Sequence, residues 1–454
     1  MKLIDYASIL SVVLLCSCGK ESVEVLPVNE FPDPSDNIEV YNEKIYTQSE
    51  FCDFVGNSCS DYVNAYFTAE ANNIFKLAVA AAFENDRSAV DRQVAREKKT
   101  LELLARSMWS VRKIDYAYWT VSSLGEPIRL SATLVVPVLN NSDVAHTLSA
   151  MSLCPPHESN GVAACPTKQG TLLMTRVAFN HAVVVPDYEG RGIAPQLPYS
   201  SMSAKVQARQ AIDAELAALT ILEDMGYSFA EGFGTYNIGV SAGCGIAYYT
   251  HYMIENILPQ EQQDRINLIS SFAADGVMDC GSFIEDYFSG FEYSSEAEEM
   301  FIGYMMRFTS IIEGIPESER GGYKAEDLFS HDILNEYGRV DMKHPLIKIL
   351  KAEVVKNDIN FNWEPKHPIT LEASYDDTGI APEHQAMGIY ELLCNKQNGM
   401  PNRNVKLHMF ETPLTVLASE YIGGDYSQLF THMMADFISF LRGMENLDPS
   451  IVND

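Results

Sequence analysis

Apolar and polar positions change their period several times along this chain, and each change marks an element. From about Glu50 to Ser107, "NNIFKLAVAAAF" and "REKKTLELLARSMW" repeat apolar residues at three- and four-residue steps, which predicts helix. "VRKIDYAYWTVSS" and "PIRLSATLVVPV" then turn to β-branched and aromatic residues on either side of "LGE", which predicts a hairpin. "TLSAMSLC" (147–154) and "HAVVVPDY" (181–188) are short apolar runs closed by turn residues, the pattern of buried strands. A long helical stretch, "SAKVQARQAIDAELAALTILEDMG", ends at Gly226; "YNIGV" is a strand, "SAGCGIAYYTHYMIENIL" a helix, and "RINLISSFAADG" a further strand. Residues 280–366 break the alternation with helical patterns such as "EAEEMFIGYMMRFTSIIEG". The rhythm returns in "HPITLEAS" and "NVKLHMFE", and "HMMADFISFLRGM" closes the chain as a helix.

Strands alternating with helices imply an α/β fold, a mostly parallel sheet covered on both faces. The helical block at 280–366 reads as a cap inserted over the carboxyl edge of that sheet. The expected organisation is a leader at 1–17, an acidic tether at 18–45, an N-terminal helical segment at 46–110, core at 111–279, cap at 280–366 and core again at 367–454.

Charge narrows the function. Acidic residues outnumber basic ones 62 to 32, a formal net charge of −30. That field repels phosphate backbones, so a nucleic-acid partner is not expected. No C-x-x-C or H-E-x-x-H spacing occurs, and neither a metal nor a cofactor is expected.

The first residues, "MKLIDYASILSVVLLCSCGK", carry an apolar stretch too short to span a bilayer and shaped like a secretory signal. Leu15-Cys16-Ser17-Cys18 resembles a bacterial lipobox, which implies acylation at Cys18 and an anchor in the cell envelope. Gly19 rather than Asp after that cysteine favours the outer membrane, and "GKE" at 19–21 resembles surface-export signals. Of the remaining cysteines, Cys52 with Cys59 and Cys154 with Cys165 lie close in sequence. The odd number leaves at least one free thiol.

"NIGVSAGCG" (237–245) carries the candidate chemistry. A nucleophile elbow needs a strand before its serine, a helix after it and small flanking residues; Gly239, Ser241, Ala242 and Gly243 meet those needs. The Ala242 N–H, at a helix start, is a candidate oxyanion donor. Serine needs a base and the base an orienting acid, in the chain order Ser, acid, His on this architecture. Three histidines lie far enough downstream. His408 falls within a strand pattern and His384 at a helix opening only eight residues past the acidic pair, whereas His432 sits between the last strand and the last helix. His432 is therefore the candidate base. Asp376, directly after "ITLEAS", is the first candidate acid and Asp377 the alternative; one of the two serves as a turn or cap residue.

With "VVVPDYEGRG", "PYSSMSAKVQARQAIDAELAA", "GVSAG", "HPITLEASYDDTGIAP" and "FTHMMADFISFL", the chain from about residue 110 onward resembles α/β-hydrolases of the secretory lipase and esterase type. The resemblance implies a metal-independent serine hydrolase with the triad Ser241, Asp376 and His432, acting on a small-molecule ester. Relatives carry His-Gly or a similar pair in the loop after "TLSAMSLC"; here it reads "CPPHESNG", and since proline has no N–H, His157 is the nearest second oxyanion donor. Asp187 and Arg191 in "DYEGRG" read as structural. Two other functions stay open: a serine peptidase on the same fold, and a lipid-anchored binding protein whose hydrolase fold has lost activity.

Overall fold

A hairpin of two twelve-residue strands, β2 (Ser110–Val121) and β3 (Pro127–Val138), anchors the sheet. Their antiparallel register runs from Ser110 opposite Val138 to Val121 opposite Pro127. The connecting turn closes through Ser122 N–H to Glu126 O (2.8 Å) and Gly125 N–H to Ser122 O (3.0 Å). Gly125 has φ of +79°, a conformation costly for any side chain, so the glycine of "LGE" sets the turn. The structure is a computed structural model that describes residues 33–34, 37–51, 53–54, 110–123, 125–138, 146–150, 181–195, 197, 203–282, 341, 343–345, 348, 351–352, 355, 358–375, 377, 380–395, 402–410, 439 and 443.

The remaining described elements are the strands β1 (Glu39–Tyr46), β4 (His146–Ala150), β5 (His181–Pro186), β6 (Thr235–Val240), β7 (Leu268–Ala274), β8 (Ile369–Ser374) and β9 (Val405–Phe410). Between them run helices α1 (Ala204–Asp224), α2 (Ala242–Asn256), α3 (Gln260–Ile266) and α4 (Ala386–Asn395). The nine strands form one sheet in the order β1-β2-β3-β5-β4-β6-β7-β8-β9. Pairings from β1 through β3 to β5 are antiparallel, and all those from β5 to β9 are parallel. Every residue of β5 and β6 is buried, which is why neither shows a solvent-facing polar alternation: Ala182–Pro186 is an apolar run, and the polar Thr235 and Asn237 of β6 are hydrogen-bonded inside.

Helix α1 lies on one face through a file of alanines. Ala211, Ala214, Ala217 and Ala218 are fully buried or nearly so and let the helix approach closely. The hydroxyls of Tyr116 and Tyr118 on β2 donate to the α1 carbonyls of Ala214 (2.7 Å) and Gln210 (3.0 Å), so the aromatic residues that mark β2 in the sequence also bolt it to the helix. The helix ends as its glycine predicts. Gly226 N–H donates to Glu223 O (2.9 Å) and Tyr227 N–H to Leu222 O (3.0 Å), a Schellman closure with Gly226 at φ +78°. Helical residue 443 lies against the opposite face from α2: a Cβ on Gly443 would meet Ile238 and Phe272 side chains at 2.6–2.8 Å.

Two sequence expectations are corrected. Residues 39–45, expected at the end of the tether, and Tyr46, expected to open the helical segment, form the edge strand β1, paired antiparallel with β2 from Glu39 opposite Ala117 to Tyr46 opposite Val111. All its residues but Tyr46 are exposed, so backbone pairing and surface ion pairs (Arg129 to Glu39, 2.9 Å; Arg112 to Glu43, 3.3 Å) hold it instead of the apolar pattern that betrays a strand. Arg265 and Ile266, read as the start of a strand, belong to α3, and Asn267 in the left-handed conformation (φ +48°) separates helix from strand. Thr47 and Glu50 cap a helical start at 48–51, where the Thr47 N–H donates to the Glu50 carboxylate (2.8 Å) and the Glu50 N–H to the Thr47 hydroxyl (3.3 Å). The rest of the N-terminal helical segment, the leader with Cys18, and residues 283–340 of the expected cap lie outside the described residues.

Candidate active site

Ser241 occupies the single residue between β6 and α2, with φ +58° and ψ −124°. Non-glycine residues rarely adopt this conformation, which costs on the order of 1–3 kcal/mol unless the surroundings impose it. Here they do. Ser241 N–H donates to Ala274 O on β7 (2.9 Å), extending the sheet, while its carbonyl accepts the Cys244 N–H (2.9 Å), opening the helix. The chain turns from strand to helix within one residue, and its hydroxyl makes no capping bond to that helix.

The flanking glycines have a steric cause. A Cβ on Gly239 would sit 2.0 Å from Gly243 O and 2.7 Å from the Ala247 Cβ; one on Gly276 would sit 2.1 Å from Ser241 O and 2.3 Å from the Cys244 Cβ. Strand, helix and the segment after β7 therefore meet at backbone contact around the serine. Ala242 is the first residue of α2, so its N–H has no carbonyl one turn back to bond and stands at the positive end of the helix. A strained serine at the carboxyl edge of a parallel sheet, followed by a helix N-terminus, can present an alkoxide-forming oxygen beside an anion-binding amide.

No family model matches the sequence, and no curated protein matches it. Solved structures do. The chain is similar to the rice cell wall degrading esterase LipA from Xanthomonas oryzae, at 18% identity over 77% of this chain and 95% of that one, with a TM-score of 0.55. It is also similar to a protein of Legionella pneumophila, at 13% identity over 78% of this chain and 96% of that one, with a TM-score of 0.51. The chain has the α/β-hydrolase fold.

In this α/β-hydrolase fold β8 leads toward Asp377, the described member of the acidic pair. Asp377 follows β8 and is buried. Its Oδ1 accepts the Ile380 N–H (3.1 Å) and its Oδ2 the Gln385 Nε2–H (3.0 Å), so the carboxylate closes its own loop. Asp376, His432 and His157 lie outside the described residues. His408 is on β9 with Nδ1 2.7 Å from Oε2 of buried Glu372 on β8, fixed in the sheet as its strand context predicts. His384 ends a short 3-10 turn (Pro382–His384) and accepts Met278 and Asp279 N–H groups on its carbonyl at 2.9 and 3.2 Å. Asp187 accepts the Ser131 hydroxyl (2.5 Å) and sits where a Cβ on Gly192 would fall, a structural clamp in "DYEGRG".

Sequence reasoning missed a serine–histidine–acid chain further along α2. Asn237 Nδ2–H donates to Ser271 Oγ (3.3 Å), Ser271 Oγ meets His251 Nδ1 (2.9 Å), and His251 Nε2 meets Glu255 Oε1 (3.2 Å). Glu255 also accepts the backbone N–H groups of Lys366 (2.9 Å) and His367 (2.7 Å), with His367 Nδ1 at 2.6 Å. Burial pushes the Glu255 carboxyl up, but these bonds outweigh it and bring it down to about 2. Burial lowers His251, outweighing Glu255, which keeps the ring neutral with Nδ1 accepting and Nε2–H donating. His251 has 0% exposure and both nitrogens engaged, so no substrate reaches it; the chain ties β6, β7, α2 and the segment entering β8 together. The available signal was the His–Glu pair four residues apart on a helix.

Among the described residues, Cys244 and Cys280 are buried, Cys280 is a free thiol, and no three metal-ligating side chains converge. No helix there is long and apolar enough to cross a membrane. The two cysteine pairs close in sequence lie outside the described residues.

Proposed function

We propose that this chain is a serine hydrolase that cleaves carboxylic esters. One observation carries the reading: Ser241 stands alone between a parallel strand and a helix at φ +58°, a strain that a merely packed serine has no reason to bear. The similarity to an esterase, the rice cell wall degrading LipA, supports an ester as the substrate class.

Ser241 Oγ attacks the acyl carbon while His432 removes its proton. The oxyanion that forms is held by the N–H groups of Ala242 and of His157. His432 then protonates the departing alcohol, leaving an acyl-enzyme, and activates the water that releases the acid. Asp376 accepts the imidazole N–H and stabilises the imidazolium. Asp377 is the loop-closing partner of the pair, in keeping with its bonds to Ile380 and Gln385. The protein works from the cell envelope, lipid-anchored at Cys18, on small-molecule esters and without a cofactor.

A fluorophosphonate probe tests the core of this reading. Labelling of the wild type that vanishes in Ser241→Ala and is lost in His432→Ala is expected; absence of labelling in the wild type overturns it in favour of a binding protein. Nitrophenyl esters of short and long acyl chains, beside peptide anilides, then separate esterase, lipase and peptidase. Asp376→Asn is expected to abolish turnover while Asp377→Asn lowers stability, and the reverse ranking exchanges their roles. Loss of metabolic fatty-acid labelling in Cys18→Ser tests the anchor.

A further inference from the structure

Asp275 is a buried group that this mechanism does not use. It follows β7 with φ of +49°, and its side chain is completely enclosed. Two segments meet on it. Its N–H donates to Glu372 O on β8 (3.0 Å), its Oδ1 accepts the Ser374 N–H at the end of β8 (3.1 Å), and its Oδ2 accepts the hydroxyl of helical Ser439. Its chain neighbours grip the elbow from the other side. Ala274 O accepts the Ser241 N–H, and Gly276 is packed so tightly that a Cβ would lie 2.1 Å from Ser241 O.

The partners of that carboxylate stand close in sequence to the proposed acid and base. Ser374 stands two residues before Asp376, and Ser439 seven residues after His432. A carboxylate accepts on both oxygens, whereas an amide offers one acceptor and one donor, so only the acid receives the N–H of one element and the hydroxyl of another in this arrangement. Burying a charge is costly, and the two donated bonds repay it only while both elements stay docked.

We propose that Asp275 is a positioning residue: its carboxylate locks the end of β8 and the C-terminal helical segment to the elbow, holding the triad's acid and base in register with Ser241. The inference rests on the proposed triad. It requires that loosening the lock harms the chemical step more than substrate binding, because the acid and base act on the reacting atoms and not on the rest of the substrate.

The test uses the full chain with p-nitrophenyl butyrate, scoring kcat and KM per folded molecule, circular dichroism, Tm and the rate of fluorophosphonate labelling. Asp275→Asn is expected to lower kcat about 100-fold with KM within about twofold and labelling slowed in parallel. Ser439→Ala, which removes one hydroxyl, is expected to lower kcat about tenfold with Tm within about 4 °C of the wild type. Lowered Tm with unchanged kcat in both variants overturns the proposal, and if Asp275→Asn does not fold, unchanged kcat in Ser439→Ala overturns it alone. Ser241→Ala is run beside them. Wild-type turnover in that variant refutes the triad itself, while an inactive Ser241→Ala with unimpaired Asp275→Asn and Ser439→Ala refutes only the positioning role.

Discussion

The two ends of α2 hold similar side chains and opposite physics. At its N-terminus Ser241 holds a positive φ in a turn where Gly239 packs against the Gly243 carbonyl and Gly276 against the Ser241 carbonyl. Near its C-terminus Ser271, His251 and Glu255 form a relaxed chain in which each ring nitrogen has a partner and the acid collects further N–H bonds. Read as a list of residue types, the second resembles a catalytic triad more than the first does. Backbone strain separates them: the C-terminal chain spends its hydrogen-bonding capacity on the fold, whereas Ser241 carries a positive φ that its surroundings impose.

Substitutions can break that contrast, and the largest effect belongs to the elbow. Ser241→Ala is expected to lower ester turnover by at least about 10⁴-fold with the fold intact, measured by kcat and circular dichroism. Gly239→Ala places a methyl against the Gly243 carbonyl, with no flexible neighbour to give way. A loss of about 3 kcal/mol in denaturant unfolding, together with lost fluorophosphonate labelling, is expected. Glu255→Gln should separate the two ends, costing about 2–3 kcal/mol of stability while kcat per folded molecule stays within about twofold. Ser241→Gly sharpens the strain argument, since glycine accepts the positive φ: it is expected to exceed Ser241→Ala in stability by about 1 kcal/mol, and equal stabilities would remove the strain.

Acid titration gives the smallest effects and opposite signs in two places. Glu255 falls from its ordinary 4.5 to about 2 in the fold, so its contribution is full above pH 4.5 and is lost as pH drops toward 2. His251 is lowered below its ordinary 6.5 by burial, so its contribution is likewise present above that value and lost on acidification. Asp358 behaves the other way. Burial, then the Asp279 charge, push its carboxyl from 3.8 up to about 6 against the Cys280 and Gly281 N–H bonds it accepts at 2.7 and 3.1 Å. Its protonated form favours the fold, and that contribution is lost as pH rises from about 3.8 through 6. Tm against pH for Glu255→Gln should therefore approach the wild type in acid, whereas Asp358→Asn should gain on it as pH rises through 6.

Periodicity made most elements legible. The β2–β3 hairpin, α1 with its Gly226 stop, and the strand–serine–helix at 235–256 stand where apolar spacing and glycine predict them. β1 was not legible, because an exposed edge strand is held by backbone bonds that leave no apolar alternation. The short α3 was only half legible: its last turn, Arg265 and Ile266, merges in sequence with the apolar residues of β7. Of the candidate site, the G-x-S-x-G stretch was readable as a motif and His408 as a residue held in a strand, whereas His432 lies outside the described residues. The Ser271–His251–Glu255 chain was not, since Ser271 and His251 lie on elements joined only by folding.

The sequence alone determined the alternation of strand and helix, the place of the one-residue turn at Ser241 and the need for glycine beside it, because these follow from local period and from the room a backbone needs. Only the tertiary structure decided which serine is strained and which histidine is sealed, and that one carboxylate, Asp275, collects Ser374 and Ser439 beside the elbow. Those outcomes depend on contacts between residues up to 164 positions apart, and no local pattern encodes which donors will face an acid once the sheet is built.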